Sequence, residues 1–196
     1  MHLAHIMKKT SSLRIAALCC TLIILPFANS PAADKTWDGG GANNTWNTAS
    51  NWVGDTVPVA NDVLIFAGST RLTNSNNLTA NTQFDGINFA ADAGAFTLGG
   101  SPAINLGGGI TNSSANLQTF SMSGGYVVIS NISIDTGSAG ILFSPTAGAK
   151  FSSSGGTNIT KVGTGTLFLS QNNDTIKGSF IIAEGVVEVT AASTAA

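Results

Sequence analysis

The chain has 196 residues, of which 43% are hydrophobic and only 9% are charged, with 23 glycines and a formal net charge of −2. Its two cysteines and two histidines all lie in the N-terminal leader, so the remainder of the chain contains neither. Disulfides, Cys/His zinc sites, and Ser-His or Cys-His nucleophiles are therefore excluded within the mature chain.

The first 32 residues have the pattern of a secretory signal peptide. Lys8, Lys9 and Arg14 supply a basic region, and the apolar segment 15–27 follows it. That segment is the length of a secretory core and is too short to span a membrane as a helix. Small residues predict cleavage after Ala32, with Ser30 at the minus-three position. We therefore expect an exported protein whose mature chain begins at Ala33.

The mature chain is acidic and has no basic run. Removal of the leader leaves five basic residues against ten acids, a formal charge of −5. Nucleic-acid binding and attraction to anionic membranes both need clustered Lys and Arg. Neither kind of partner is expected.

Residues 33–68 differ from the rest because they hold all three tryptophans, Trp37, Trp46 and Trp52. The terminal coil of a solenoid must be covered, since it otherwise exposes core side chains and unpaired backbone. The segment is predicted to be such an N-terminal cap. The alternative is a ligand-stacking platform, because indole faces pack on sugar rings.

From residue 69 to residue 196, short strand-like segments recur every eight to ten residues or so, separated by Gly, Asn, Ser and Thr turns. This spacing is also typical of a sandwich or barrel. The short strands and the lack of compact hairpin signals favour a parallel β-helix, with a β-sandwich as the alternative. The first predicted strand, residues 62–66, lies within the cap segment. The predicted strands are residues 62–66, 86–89, 95–98, 103–106, 118–122, 126–134, 140–143, 165–169, 179–183 and 186–189.

Candidate catalytic and metal-binding patterns are weak. The glycines at 107–109 lack the Lys-hydroxyl pair of a phosphate loop, and no Gly-Gly-x-Gly-x-Asp calcium repeat occurs. A glycosidase needs two carboxylates facing one bond, but the acids that are close in sequence are only Asp34 with Asp38 and Glu184 with Glu188. Arg71 is the only arginine of the mature chain, so it forms no basic cluster. We predict no catalysis, no cofactor and no metal.

Residues 159–189 resemble the autotransporter-associated β-strand repeat of large secreted bacterial proteins. The segment departs from the family pattern at Ile176, where an aromatic is usual, and at Ser179, which replaces a second glycine. Residues 36–66 are similar to the segment that commonly follows the leader in such proteins. The residues that match the repeat in order are Lys161, Gly163, Gly165, Leu167, Leu169, Asn173, Gly178, Gly185 and Val187.

The resemblance implies a right-handed β-helix, secreted from or displayed on the surface of a Gram-negative-type bacterium. Autotransporters end in an outer-membrane β-barrel, for which the segment after Val189 has no room. The expectation is a structural scaffold, a passenger fragment whose barrel or continuation is missing. The alternative is an adhesin that binds surface glycans or neighbouring cells.

Overall fold

The computed structural model describes residues 32–145, 149–170 and 175–190. They form an all-β solenoid of about 5 turns with almost no helix. The strands are β1 (Asp34–Trp37), β2 (Val63–Phe66), β3 (Thr73–Asn76), β4 (Thr82–Phe84), β5 (Gly86–Phe89), β6 (Thr97–Gly100), β7 (Ile104–Leu106), β8 (Ile110–Asn112), β9 (Gln118–Phe120), β10 (Tyr126–Val128), β11 (Ile132–Asp135), β12 (Ile141–Phe143), β13 (Phe151–Ser153), β14 (Ile159–Val162), β15 (Thr166–Leu169), β16 (Phe180–Ile182) and β17 (Val186–Val189).

The strands form three parallel sheets that the chain visits in turn. Sheet A has the order β1-β2-β5-β8-β11-β14-β16, sheet B the order β3-β6-β9-β12-β15-β17, and sheet C the order β4-β7-β10-β13. Each strand pairs with the strand one coil away, and every pairing between these strands is parallel. The parallel β-helix is therefore confirmed and the β-sandwich is excluded, because a sandwich of this kind pairs antiparallel strands.

The core is built from side chains that stack in register from coil to coil. In sheet A, Leu64, Ile87, Ile110 and Ile134 occupy one inward row. In sheet B, Phe120 pairs with Phe143, and their rings stack with centroids 4.7 Å apart. Neighbouring strands lie about 4.8 Å apart, so each inward side chain contacts its equivalent above and below.

The tryptophans seal the N-terminal end of this core, as predicted. Trp37, Trp46 and Trp52 are buried and pack around Phe66, with ring centroids between 5.9 and 6.2 Å from it. The Trp46 indole N–H donates to Asn74 Oδ1 at 2.8 Å. β1 and β2 already belong to sheet A, so the first coil begins inside the cap segment 33–68.

One predicted strand is wrong in its extent. Residues 126–134 form two strands, β10 in sheet C and β11 in sheet A, rather than one. The chain must turn between the two sheets at residues 129–131, where the Ser130 hydroxyl donates to the carbonyl of Gly107. Ser130 and Asn131 are turn-forming residue types at this corner, but apolar residues on both sides of them make the segment look like one continuous strand.

Candidate functional site

The two ends of the solenoid are unlike each other. The N-terminal end is covered by the tryptophan cap, whereas the last described coil presents its inward row without a cover. We call this row the end face. It consists of Phe180, Ile182, Val187 and Val189, which pair with Ile159, Lys161, Leu167 and Leu169 of the preceding coil.

The end face leaves apolar side chains in contact with solvent. Ile182 is 55% exposed and Val189 is 66% exposed, whereas the equivalent Leu169 one coil earlier is 5% exposed. Phe180 and Val187 are partly buried against the core. Apolar side chains exposed beside strand edges mark a surface that a further element can cover.

Lys161 lies immediately beneath the end face and is buried within the apolar row of sheet A. Its ammonium donates hydrogen bonds to the carbonyls of Val162 at 2.9 Å, Gly163 at 2.6 Å and Glu184 at 2.9 Å. Burial lowers the pKa of Lys161, while the charges of Asp135 and Glu184 oppose that shift. Because the Glu184 carbonyl belongs to the last coil, this ammonium ties the last coil to the one before it.

Two further side chains near the corner between sheets A and B also donate a hydrogen bond from one coil to the next, as Lys161 does. The Asn112 amide donates to the carbonyl of Gly140 at 2.9 Å, and the Thr136 hydroxyl donates to the carbonyl of Gly165 at 3.0 Å. In each case the donor lies in one coil and the acceptor in the next. We call Asn112, Thr136 and Lys161 the corner donors.

No sequence pattern predicts the corner donors as a set. Their residue types differ, and their register positions are not all equivalent. Asn112 and Thr136 each follow a paired residue, Thr111 and Asp135, whereas Lys161 pairs with Ile134, two residues before Thr136. For Asn112 and Thr136 the available signal is a polar residue at or just after the end of a strand, followed by glycine or serine; Lys161 lies inside β14 and has no such signal. Each donor adds a hydrogen bond to a backbone carbonyl of the following coil, and the Gly140 carbonyl also accepts one from the Gln118 amide.

The repeat-motif residues lie in the last two coils. Gly163 and Gly185 form the corner beside Lys161 with φ angles of +81° and +73°, a conformation that glycine adopts without strain. Gly165 follows at the same corner, and Gly178 precedes β16. Leu167 and Leu169 are buried, and Val187 stacks on Leu167. Asn173 lies outside the described residues.

The tryptophans do not form a ligand-stacking platform. Trp46 and Trp52 are completely buried, and Trp37 is 1% exposed. An indole with no exposed face cannot receive a sugar ring, so the alternative expectation is corrected. The adhesin alternative therefore loses these side chains as its binding surface.

A shallow groove lies beside the cap, lined by residues 58–60 and 78–82, with a volume of about 420 Å³. None of its lining residues is charged, so it offers no acid, base or strong metal ligand. Across the part of the chain that the structure describes, no three His, Cys, Asp or Glu residues cluster as a metal site would require.

No helix among the described residues is long and apolar enough to cross a membrane. Residues 1–31 of the predicted signal peptide lie outside the described residues, and only its last residue, Ala32, is described. Comparison with known proteins finds no matching family model, no similar curated protein and no similar solved structure.

Proposed function

We propose that this chain is an exported structural β-helix, a scaffold segment of the passenger type that residues 159–189 resemble, on whose end face a further parallel β-coil stacks. The observation that carries the proposal is the contrast between the sealed N-terminal end and the exposed apolar row of Ile182 and Val189.

A parallel β-coil is the occupant whose chemistry matches the end face. β16 and β17 are the outer strands of sheets A and B, so their free backbone edges can pair with parallel strands. An inward apolar residue on the incoming coil would then stack on each exposed side chain. Full burial of a Val or Ile side chain contributes about 1.5–3 kcal/mol.

An added coil tests the proposal. A second copy of residues 171–190 inserted after Thr190 supplies about the length of chain that separates paired residues of the last two coils, with second copies of β16 and β17. We expect the new coil to stack, so that the amides of β16 and β17 in the original copy gain protection from hydrogen exchange. We also expect the melting temperature to rise, because solenoid stability grows with each interface between coils.

Two matched variants of the extended chain isolate the end face. Ile182→Lys with Val189→Lys in the first copy places two charges at inward positions, which should abolish the gain in protection. Ile181→Lys with Val186→Lys changes the outward neighbours and should retain it. An inserted coil that leaves β16 and β17 no better protected would contradict the proposal.

Export is tested separately by expressing the full chain in a Gram-negative host. We expect the mature chain in the periplasm, medium or surface fraction, and a cytoplasmic, unprocessed chain when residues 22–25 are replaced by polar residues. A native leader that leaves the whole protein in the cytoplasm would refute this part of the proposal.

A further inference from the structure

The start of the mature chain lies against a buried carboxylate. The backbone nitrogen of Ala33 donates to Asp62 Oδ1 at 3.0 Å, and the backbone nitrogen of Val59 donates to Asp62 Oδ2 at 2.9 Å. Asp62 has no exposed surface, whereas Ala32 and Ala33 are exposed. The Ala33 carbonyl accepts a hydrogen bond from Val63 at 3.0 Å, which holds Ala33 in line with the first coil.

The Asp62 carboxylate is buried, and its two hydrogen-bond partners, the Ala33 and Val59 amides, are both neutral. Neither of them supplies a positive charge to balance it. Burial of a charge is costly unless it is paired and hydrogen-bonded. A hydrogen bond that involves ionised groups on both sides is shorter and stronger than one from a neutral amide. A positive charge on the Ala33 nitrogen would therefore stabilise the folded protein, because it would strengthen the hydrogen bond to the Asp62 carboxylate.

Cleavage after Ala32 would create that charge. A signal peptidase hydrolyses the Ala32–Ala33 peptide bond with one water: Ala32 leaves as a carboxylate, and Ala33 keeps an amine. An α-amine has a pKa near 8 in water, so at neutral pH it takes up a proton and becomes an ammonium. Ala33 is an exposed residue, so a charge on its nitrogen lies at the protein surface while one of its N–H groups donates to Asp62.

We propose that removal of the leader after Ala32 completes the N-terminal cap, because the new Ala33 ammonium forms an ion pair with the buried Asp62 carboxylate. The inference rests on the proposed export, which supplies the peptidase. It also assigns the cleavage position, because a chain that begins one residue earlier or later places its ammonium away from Asp62. The precursor carries only the neutral amide here and so has a weaker cap than the mature protein.

A double-mutant cycle on the purified mature chain tests the ion pair. Chains that begin at Ala33 are prepared with a free or an acetylated α-amine, each with Asp62 or with Asp62→Asn. With Asp62 present, we expect acetylation to raise the unfolding equilibrium constant about ten-fold, the difference between a charged and a neutral hydrogen bond. With Asp62→Asn, we expect acetylation to change it less than about two-fold. Equal effects in both backgrounds would overturn the ion pair.

Two further measurements keep the inference testable if Asp62→Asn does not fold. A chain that begins at Ala32 displaces the ammonium by one residue and should be as unstable as the acetylated chain; stability equal to that of the Ala33 chain would overturn the pairing. N-terminal sequencing of the exported protein should give Ala33, and a different first residue would overturn the assigned site. If the protein is not exported but the double-mutant cycle still shows coupling between the α-amine and Asp62, the proposed function is refuted and the ion pair is retained.

Discussion

At the scale of single residues, most buried polar groups have a hydrogen-bond partner, and the Asn74 Nδ2 amide is a buried exception. Tyr126 is completely buried, and its hydroxyl accepts a hydrogen bond from the Met122 amide at 2.8 Å. Desolvation raises the pKa of Tyr126 above its ordinary value of 10.0, and the bond from Met122 opposes the rise. Because Tyr126 is the only tyrosine of the chain, its ionisation can be followed without interference from another.

Tyr126 should make the protein sensitive to alkali. Its folded-state pKa is raised, so above about pH 10 the unfolded chain loses a proton that the folded chain keeps. The stability that this proton contributes is complete at neutral pH and falls by about 1.4 kcal/mol per pH unit beyond 10. We expect thermal melts to show this decline, and tyrosinate absorbance to appear only on unfolding.

Tyr126→Phe separates this ionisation from that of the lysines, which both chains share. The variant should lose about 1–2 kcal/mol at neutral pH, because the buried Met122 amide loses its acceptor, yet its alkaline decline should be shallower. Parallel declines in the two chains would show that Tyr126 is not responsible.

Lys161→Met should weaken the last coil selectively. Methionine keeps most of the apolar stem but leaves the carbonyls of Val162, Gly163 and Glu184 without the ammonium that binds them. We expect a loss of about 2 kcal/mol, seen as faster hydrogen exchange in β16 and β17 with β8 unchanged. Lys150→Met, at an exposed lysine, is the matched control and should change neither. Unaltered exchange in the Lys161 variant would rule out the tie between the coils.

At the scale of elements, each strand needs only one or two inward apolar residues, and this limits what the sequence can predict. Strands with alternating apolar residues, such as β15 and β17, are predicted within a residue or two. β3, with the sequence TNSN, carries no apolar residue, and its inward Asn74 is held by the indole of Trp46. It pairs only because the neighbouring coil places β6 beside it, which is tertiary context that propensity cannot show.

The inward and outward faces of β15 should tolerate a charge very differently. Leu167→Asp buries a carboxylate in the core without a partner, and we expect a loss of about 4 kcal/mol or more, or failure to fold. Thr166→Asp on the outward face of the same strand should cost less than about 1 kcal/mol. Circular dichroism and thermal melts of both variants provide the check. A Leu167→Asp protein with an unchanged β-signal and melting point would contradict the inward assignment.

At the scale of the whole molecule, the fold class follows from short strands separated by small-residue turns, because that spacing suits stacked coils. The end face does not follow, since Ile182 and Val189 look like core residues until the register shows that no described coil lies above them. The contact between Ala33 and Asp62 joins residues 29 apart in the chain, and no local pattern connects them. Contacts between residues of different coils, which depend on how the coils stack, are therefore what the sequence does not predict.

The difference between its two ends also gives the solenoid a mechanical direction. Asn112, Thr136 and Lys161 bridge three successive coil interfaces, and each such bond resists separation equally from either side. A pulling force applied at Thr190 would meet the coil with the fewest neighbours and would detach coils one at a time, each step breaking a single coil interface. The same force applied at Ala33 would have to extract three interlocked indoles before any coil could yield. The protein should therefore resist tension unequally, and its tryptophan end is the stronger anchorage.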